Sequence, residues 1–275
     1  MRAVYARLGL IGTIAAGFVV LVVLGAVLAP VLAPYDPTIG SVTQRFQGPS
    51  LAHFFGTDQA GRDIFSRILW GARSSLIGPL IVVVITALAG TALALVSVWW
   101  GGWVDAFISR VLDLLFAFPN LLLAMLAIAV FGPSQTTAAL ALAIAYIPYT
   151  ARIIRSMALR ERNLPYVRSP QLQGISGVTI TARHLLPNIA PLVVTGATIN
   201  FGFAMIELAA LSFLGLGVQP PQADWGLMVS NGQQSLLKGY PAESIIAGLS
   251  IVLTVAAFGY VGEKLGGRAA AGRKR

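Results

Sequence analysis

Apolar runs long enough to cross a bilayer dominate this chain. Residues 8–32, 75–100, 136–154, 188–216 and 244–262 are each predominantly apolar, and each reaches the roughly 20 residues that a hydrocarbon layer of about 30 Å demands. A further piece, 103–131, is amphipathic in its first half, where Asp105, Arg110 and Asp113 interrupt apolar residues. It continues through Pro119 into an apolar second half and reads as one elbow-shaped span. The fold class expected is therefore an all-α membrane protein with about six transmembrane helices. Composition supports this: 56% of the 275 residues are hydrophobic and only 11% are charged, where a soluble domain needs roughly a quarter charged to cover its surface.

The first run follows Arg2 and Arg7, as a secretory leader would. It exceeds a usual leader core, however, and no small-x-small cleavage site precedes Pro30, Pro34 and Pro37. It is expected to stay as a helix. The net charge is +9, and the basic residues lie between the apolar runs instead of forming one stripe. That points to an anionic membrane face and away from nucleic acid. With the N-terminus inside, fourteen of the nineteen Lys and Arg fall on the inner side and five outside. The positive-inside rule then places both termini in the cytoplasm of a multi-pass protein of the cell membrane.

Cysteine is absent, which excludes disulfides and thiolate sites, and the two histidines, His53 and His184, lie far apart. No bound metal or cofactor is expected. There is no Gly-Lys dipeptide, so the phosphate-cradling loop of an ATPase is missing.

The most informative polar stretch is 152–188, RIIRSMALRERNLPYVRSPQLQGISGVTITARHLLPN. Short apolar segments inside it suit helices lying against a partner. Ser169-Pro170 reads as a helix start, serine capping free amides and proline needing no partner for its nitrogen. Gly174 and Gly177 permit a sharp turn or a close approach, and Pro187-Asn188 marks re-entry into the membrane.

This loop resembles the cytoplasmic coupling loop of permease subunits in ATP-binding-cassette importers. In the dipeptide, oligopeptide and nickel branch the loop runs Tyr-Val, Glu-Ala-Ala-Arg, x-Leu-Gly, then Arg-His-x-Leu-Pro-Asn. The chain keeps Tyr166-Val167, Gly174 and Arg183-His184-Leu185-Leu186-Pro187-Asn188 in that register. FGTDQAGRDIFSRILWGAR (55–73), GGWVDAFISRVLDLLFAFP (101–119) and LSFLGLGVQPPQADWG (211–226) resemble other blocks of the same branch, in order, over roughly 5–265. The likeness is greatest to its "C" permease. One departure is Arg168-Ser169-Pro170-Gln171 in place of Glu-Ala-Ala-Arg: the proline would delay or bend the docking helix, and a positive residue replaces an acidic contact.

The resemblance implies a type I importer permease fold. Residues 1–72 would form an N-terminal helix and extracytoplasmic segment, 73–263 the permease domain with a coupling loop at 156–187, and 264–275 a basic tail. It also implies partners: a homologous second permease, two ATPase subunits that carry ATP and Mg, an extracytoplasmic substrate-binding protein and the lipid bilayer. Tyr166, Val167, Ser169, Pro170, Gly174, Arg183, His184, Pro187 and Asn188 would form the ATPase-docking loop. The solute would be a di- or oligopeptide, with nickel or another small solute of the branch as the alternative. A stand-alone carrier or a membrane enzyme is the reading from a different class; the first calls for an internal repeat and the second for clustered acidic or histidine side chains within the spans.

Glu207 is an ionisable group inside a span, a place where function is the first suspicion. The competing reading is a carboxyl hydrogen-bonded between helices. His184 either docks the ATPase or caps a loop helix, and His53 reads as an ordinary outer-loop residue. Arg62 and Asp63 read as a local salt bridge at the mouth of the second span, and Trp99, Trp100 and Trp103 as an interfacial belt.

Overall fold

The computed structural model describes residues 2–271, and side chains from 9 to 264. Helix α1 spans Arg2–Val27, with a break at Gly9. Then come α2 (Ile64–Trp100), α3 (Gly102–Phe116), α4 (Asn120–Phe131), α5 (Gln135–Arg162), α6 (Pro165–Leu172), α7 (Gly177–Phe213), α8 (Trp225–Leu237) and α9 (Ala242–Ala271). The described residues contain no β-sheet, only an isolated bridge between Thr57 and Asp63. Among the described residues, five helices are long and apolar enough to cross a membrane: α1 from Gly9, α2, α5, α7 and α9. Helices α3 and α4 meet at 84° across Ala117–Pro119 and together make the bent sixth span. Most of the charge of the 264–275 tail lies outside the described side chains.

The spans pack through small residues. Ala138, Ala139, Leu142 and Ala143 on α5 are fully buried against Val82 of α2 and Leu208 and Leu211 of α7. Alanine lets backbones approach closely where lipid supplies no hydrophobic drive between helices. A second core joins α1, α2, α7, α8 and α9 through Val22, Ala72, Val83, Phe201, Met205, Trp225 and Met228. Leu21, Leu24 and Val27 of α1 face outward, as lipid-contacting side chains should.

Three element boundaries differ from expectation. Helix α2 begins at Ile64 instead of Ser75, because Asp63 caps it and accepts from the Ser66 amide at 2.7 Å. Ser66 and Arg67 in its first turns are buried against the loops at that end. Arg67 is completely buried, donating to the Pro37 carbonyl (2.7 Å) and facing Asp58 at 3.5 Å. Helix α7 begins at Gly177, and Pro187 does not interrupt it. A widened π turn over Thr181–Leu185, closed by the Leu186 amide on the Thr181 carbonyl, leads directly into the prolyl residue, whose ring nitrogen has no hydrogen to place. Helix α8 was not foreseen; its sequence GLMVSNGQQSLL is too polar for a span, yet Trp225, Leu227, Met228 and Ser235 are buried against neighbouring helices.

The loops around the N-terminal end of α2 form a compact plate. Arg62 pairs with Asp58 (2.7 Å) and not with Asp63, which instead holds the His53 ring at 2.9 Å. His53 is thus a buried member of the plate, not an ordinary loop residue. Asp224 caps α8 through the Leu227 amide and receives the Ser75 hydroxyl at 2.7 Å. Burial pushes its carboxyl above the ordinary range, opposed by those hydrogen bonds.

Candidate coupling surface

Helix α5 carries the chain beyond its apolar stretch to Arg162, where Asn163 and Leu164 turn it. Helix α6 starts at Pro165, five residues before the expected Ser169-Pro170. A prolyl ring costs nothing at the first helical position, so the start signal wins there. Pro170 then lies within the helix, and the Tyr166 carbonyl loses only the bond that the missing amide would have made. The helix ends in a Schellman turn: Gly174, at φ +80°, donates to the Gln171 carbonyl (3.1 Å), and Ile175 donates to the Pro170 carbonyl (3.1 Å). Ser176 caps the first turn of α7, accepting from the Thr179 amide.

This segment has its own small core. Val167, Ile180 and Leu185 are fully buried, and Leu185 packs with Val98 and Ala158. The Tyr166 hydroxyl donates to Glu161 at 2.5 Å. Tyr166 and Val167 therefore hold the segment together from within. What faces outward is Arg168, Ser169, Leu172, Gly174, Ile175, Ser176 and Val178, with Leu172 at 89% and Val178 at 70% exposure. Large aliphatic side chains standing out among polar neighbours on a preformed turn make this the candidate contact face. Pro170 is half-buried, while Arg183 and Pro187 are exposed on the far side of the π turn. His184 is half-buried, and its carbonyl accepts from the exposed Asn188 side chain at 2.8 Å.

The segment is pinned to its surroundings by arginines whose role the sequence did not reveal. Arg155 forks onto Asp105 of α3 (2.7 and 2.5 Å) and also reaches the Ser97 hydroxyl at 3.1 Å. Arg152 pairs with Asp113 at 2.5 Å and lies 4.5 Å over the Phe116 ring. The only signal was spacing: two basic residues one helical turn apart, facing two acids on an amphipathic helix.

Glu207 lies on α7, half-buried, with Tyr146 of α5 and Asn120 of α4 against its carboxyl. Its Oε2 is buried without a hydrogen-bond partner. No group of three or more acidic, histidine or cysteine side chains that could hold a metal occurs among the described residues.

Residues 87–265 match the family described as binding-protein-dependent transport system inner membrane component. The chain is 40% identical over 244 residues to the dipeptide transport system permease protein DppC of Alkalihalophilus pseudofirmus, covering 88% of this chain and 80% of that one. It is 40% identical over 254 residues to the glutathione transport system permease protein GsiD of Pectobacterium atrosepticum (92% and 84% covered). To the probable D,D-dipeptide transport system permease protein DdpC of Escherichia coli it is 38% identical over 245 residues (89% and 82%). A chain from inward-facing structures of the MetNI methionine ABC transporter superposes with a TM-score of 0.60 at 16% identity, covering 74% of this chain and 96% of that one, and so shares the fold. The chain belongs to the binding-protein-dependent transport system inner membrane component family.

Proposed function

We propose that this chain is one permease subunit of an ATP-driven importer of di- or oligopeptides. It forms half of the translocation path with a homologous second permease, receives cargo from an extracytoplasmic binding protein, and takes its work from two partner ATPases that bind ATP and Mg. Both termini lie in the cytoplasm, which puts the 152–188 segment on the ATPase side and the Asp58–Arg62–Arg67 plate outside. The observation that carries this reading is the preformed segment itself: Val167, Ile180 and Leu185 are buried while Leu172, Gly174 and Val178 face outward. The peptide as solute rests on the names of the relatives at about 40% identity.

Transport in this reading is alternating access. ATP-driven closure of the ATPases displaces α6, and α5 and α7, which are continuous with its two ends, carry the displacement into the membrane. The loaded binding protein shifts the same equilibrium from outside, to the extent that it binds one state better than the other. Glu207, with Tyr146 and Asn120, places a polar group within the spans where a peptide's ammonium group would find an acceptor.

The test is the complete complex in proteoliposomes, assayed for uptake of labelled dipeptide and for ATP hydrolysis stimulated by loaded binding protein. Leu172→Asp should abolish both while leaving membrane insertion intact. Full stimulation in that variant, or uptake by the purified chain without ATPases, would overturn the reading.

A further inference from the structure

Trp99, the penultimate residue of α2, fills the space where a side chain on Gly177 would begin. An ideal Cβ at 177 would stand 1.9 Å from the indole Nε1 and 2.0 Å from Cε2. The Arg162 guanidinium lies 5.4 Å from the centre of the Trp99 ring, and Arg162 Nη1 donates to the Val98 carbonyl. Arg155 donates to the Ser97 hydroxyl. Three consecutive residues at the inner end of α2 are therefore each gripped by the α5–α7 segment, and the tightest grip falls on Trp99.

The outer end of the same helix is tied as firmly into the plate. Arg67 is buried against Asp58 and the Pro37 carbonyl, and the Ser75 hydroxyl bonds to Asp224. The Trp225 indole donates to the Ile68 carbonyl at 3.0 Å, and the Gln135 amide to the Ser74 carbonyl at 2.6 Å. Helix α2, which carries both sets of anchors, runs unbroken for 37 residues, about 55 Å at 1.5 Å per residue. Pro79 lies inside it but is buried among neighbouring helices.

We infer that α2 is a strut joining the coupling segment to the extracytoplasmic plate, and that Trp99, seated on Gly177 under Arg162, is the positioning residue that engages the strut with the segment. The inference rests on the importer reading above. Displacement of α6 and α7 by the ATPases then moves α2 directly, through contact across the Trp99–Gly177 seat, as well as along the chain. Because coupling between two sites is reciprocal, binding-protein docking on the plate reaches the ATPases through the same strut. Gly177 acts here by its lack of a side chain, since any Cβ would unseat the indole.

The experiment uses the assembled complex with both permeases and the ATPases, reconstituted in nanodiscs. Three quantities are read: ATPase retained on purification, basal ATP hydrolysis, and the stimulation given by loaded binding protein. Trp99→Ala and Gly177→Ala should keep retention and basal hydrolysis near wild type and lower the stimulation by about tenfold, within the usual range of coupling between sites. Trp99→Phe, which keeps an aromatic face for Arg162, should recover a good part of it. Wild-type stimulation in both alanine variants would overturn the strut, as would loss of ATPase retention in parallel with stimulation, which marks a merely structural contact. Absence of stimulation in the wild-type complex would instead overturn the importer reading beneath it.

Discussion

Gly174 and Gly177 stand three residues apart and are required for different reasons. At Gly174 the backbone is left-handed and no atom lies within 4 Å of a Cβ position, so a side chain there meets strain and no clash. Gly174→Ala should destabilise the segment by about 1 to 2 kcal/mol, seen as faster proteolysis between α6 and α7, and Gly174→Asn should be milder, because asparagine tolerates this conformation. Equal protease resistance in the alanine variant would contradict the Schellman turn. At Gly177 the problem is the Trp99 indole. The turn at Gly174 was legible in the sequence because it is local, written in one glycine after a short helix. The seat at Gly177 was not, because its other half comes from α2; Trp99 alone reads as an interfacial tryptophan, which fits the exposed Trp100 and Trp103. His53 was misread for the same reason, its partner Asp63 being brought to it by the fold of the plate. Glu207 was legible as a costly group in a span, but Tyr146 and Asn120 beside it were not. Glu207→Gln should keep the neutral contacts with those two residues, leaving complex yield near wild type while lowering peptide uptake several-fold. A parallel fall in yield and uptake would assign Glu207 to packing.

Among the elements, the bent pair α3–α4 was the most legible, since Pro119 separates an amphipathic stretch from an apolar one. What fixes its angle was not legible: Arg155 on Asp105 and Arg152 on Asp113 join residues from distant segments. The Arg155–Asp105 pair is bidentate and partly shielded, which favours a contribution at the upper end of the range for such pairs, about 1 kcal/mol. Arg155→Ala should therefore loosen the first turn of α3. The chain has no cysteine, so a single Val104→Cys probe reports this cleanly: thiol labelling should quicken about fivefold in the Arg155→Ala background, the equivalent of that energy. Unchanged labelling would show that other contacts hold α3. The start of α6 was misplaced because two Ser/Leu-Pro steps compete as start signals, and the sequence does not say that Val167 is buried within the helix. Burying Val167 is worth about 1.5 to 3 kcal/mol, enough to decide between them. Helix α8 escaped notice because only its first turn, Trp225–Met228, with Gly232 and Ser235, is buried, while Gln233 and Gln234 stay exposed and dilute the apolar signal.

At the scale of the whole molecule, the spans and their number followed from apolar length alone, and the family from four ordered blocks of sequence. The proposed orientation rests on the distribution of Lys and Arg. The architecture adds a mechanical relation that no local pattern announces: one 37-residue helix held by Trp99 and two arginines inside and by Arg67, Ser75 and Ile68 outside. In the function proposed above, an ATPase-facing handle and a binding-protein-facing plate would be the two ends of one rod. The claim on which all of this depends is that the Leu172–Val178 face meets an ATPase in the cytoplasm. Photo-crosslinking from a benzoylphenylalanine placed at Leu172, in the assembled complex in native membranes, tests it most directly. An adduct with the mass of this chain plus an ATPase subunit is the predicted result; an adduct with the extracytoplasmic binding protein, or none with any cytosolic subunit, would contradict it.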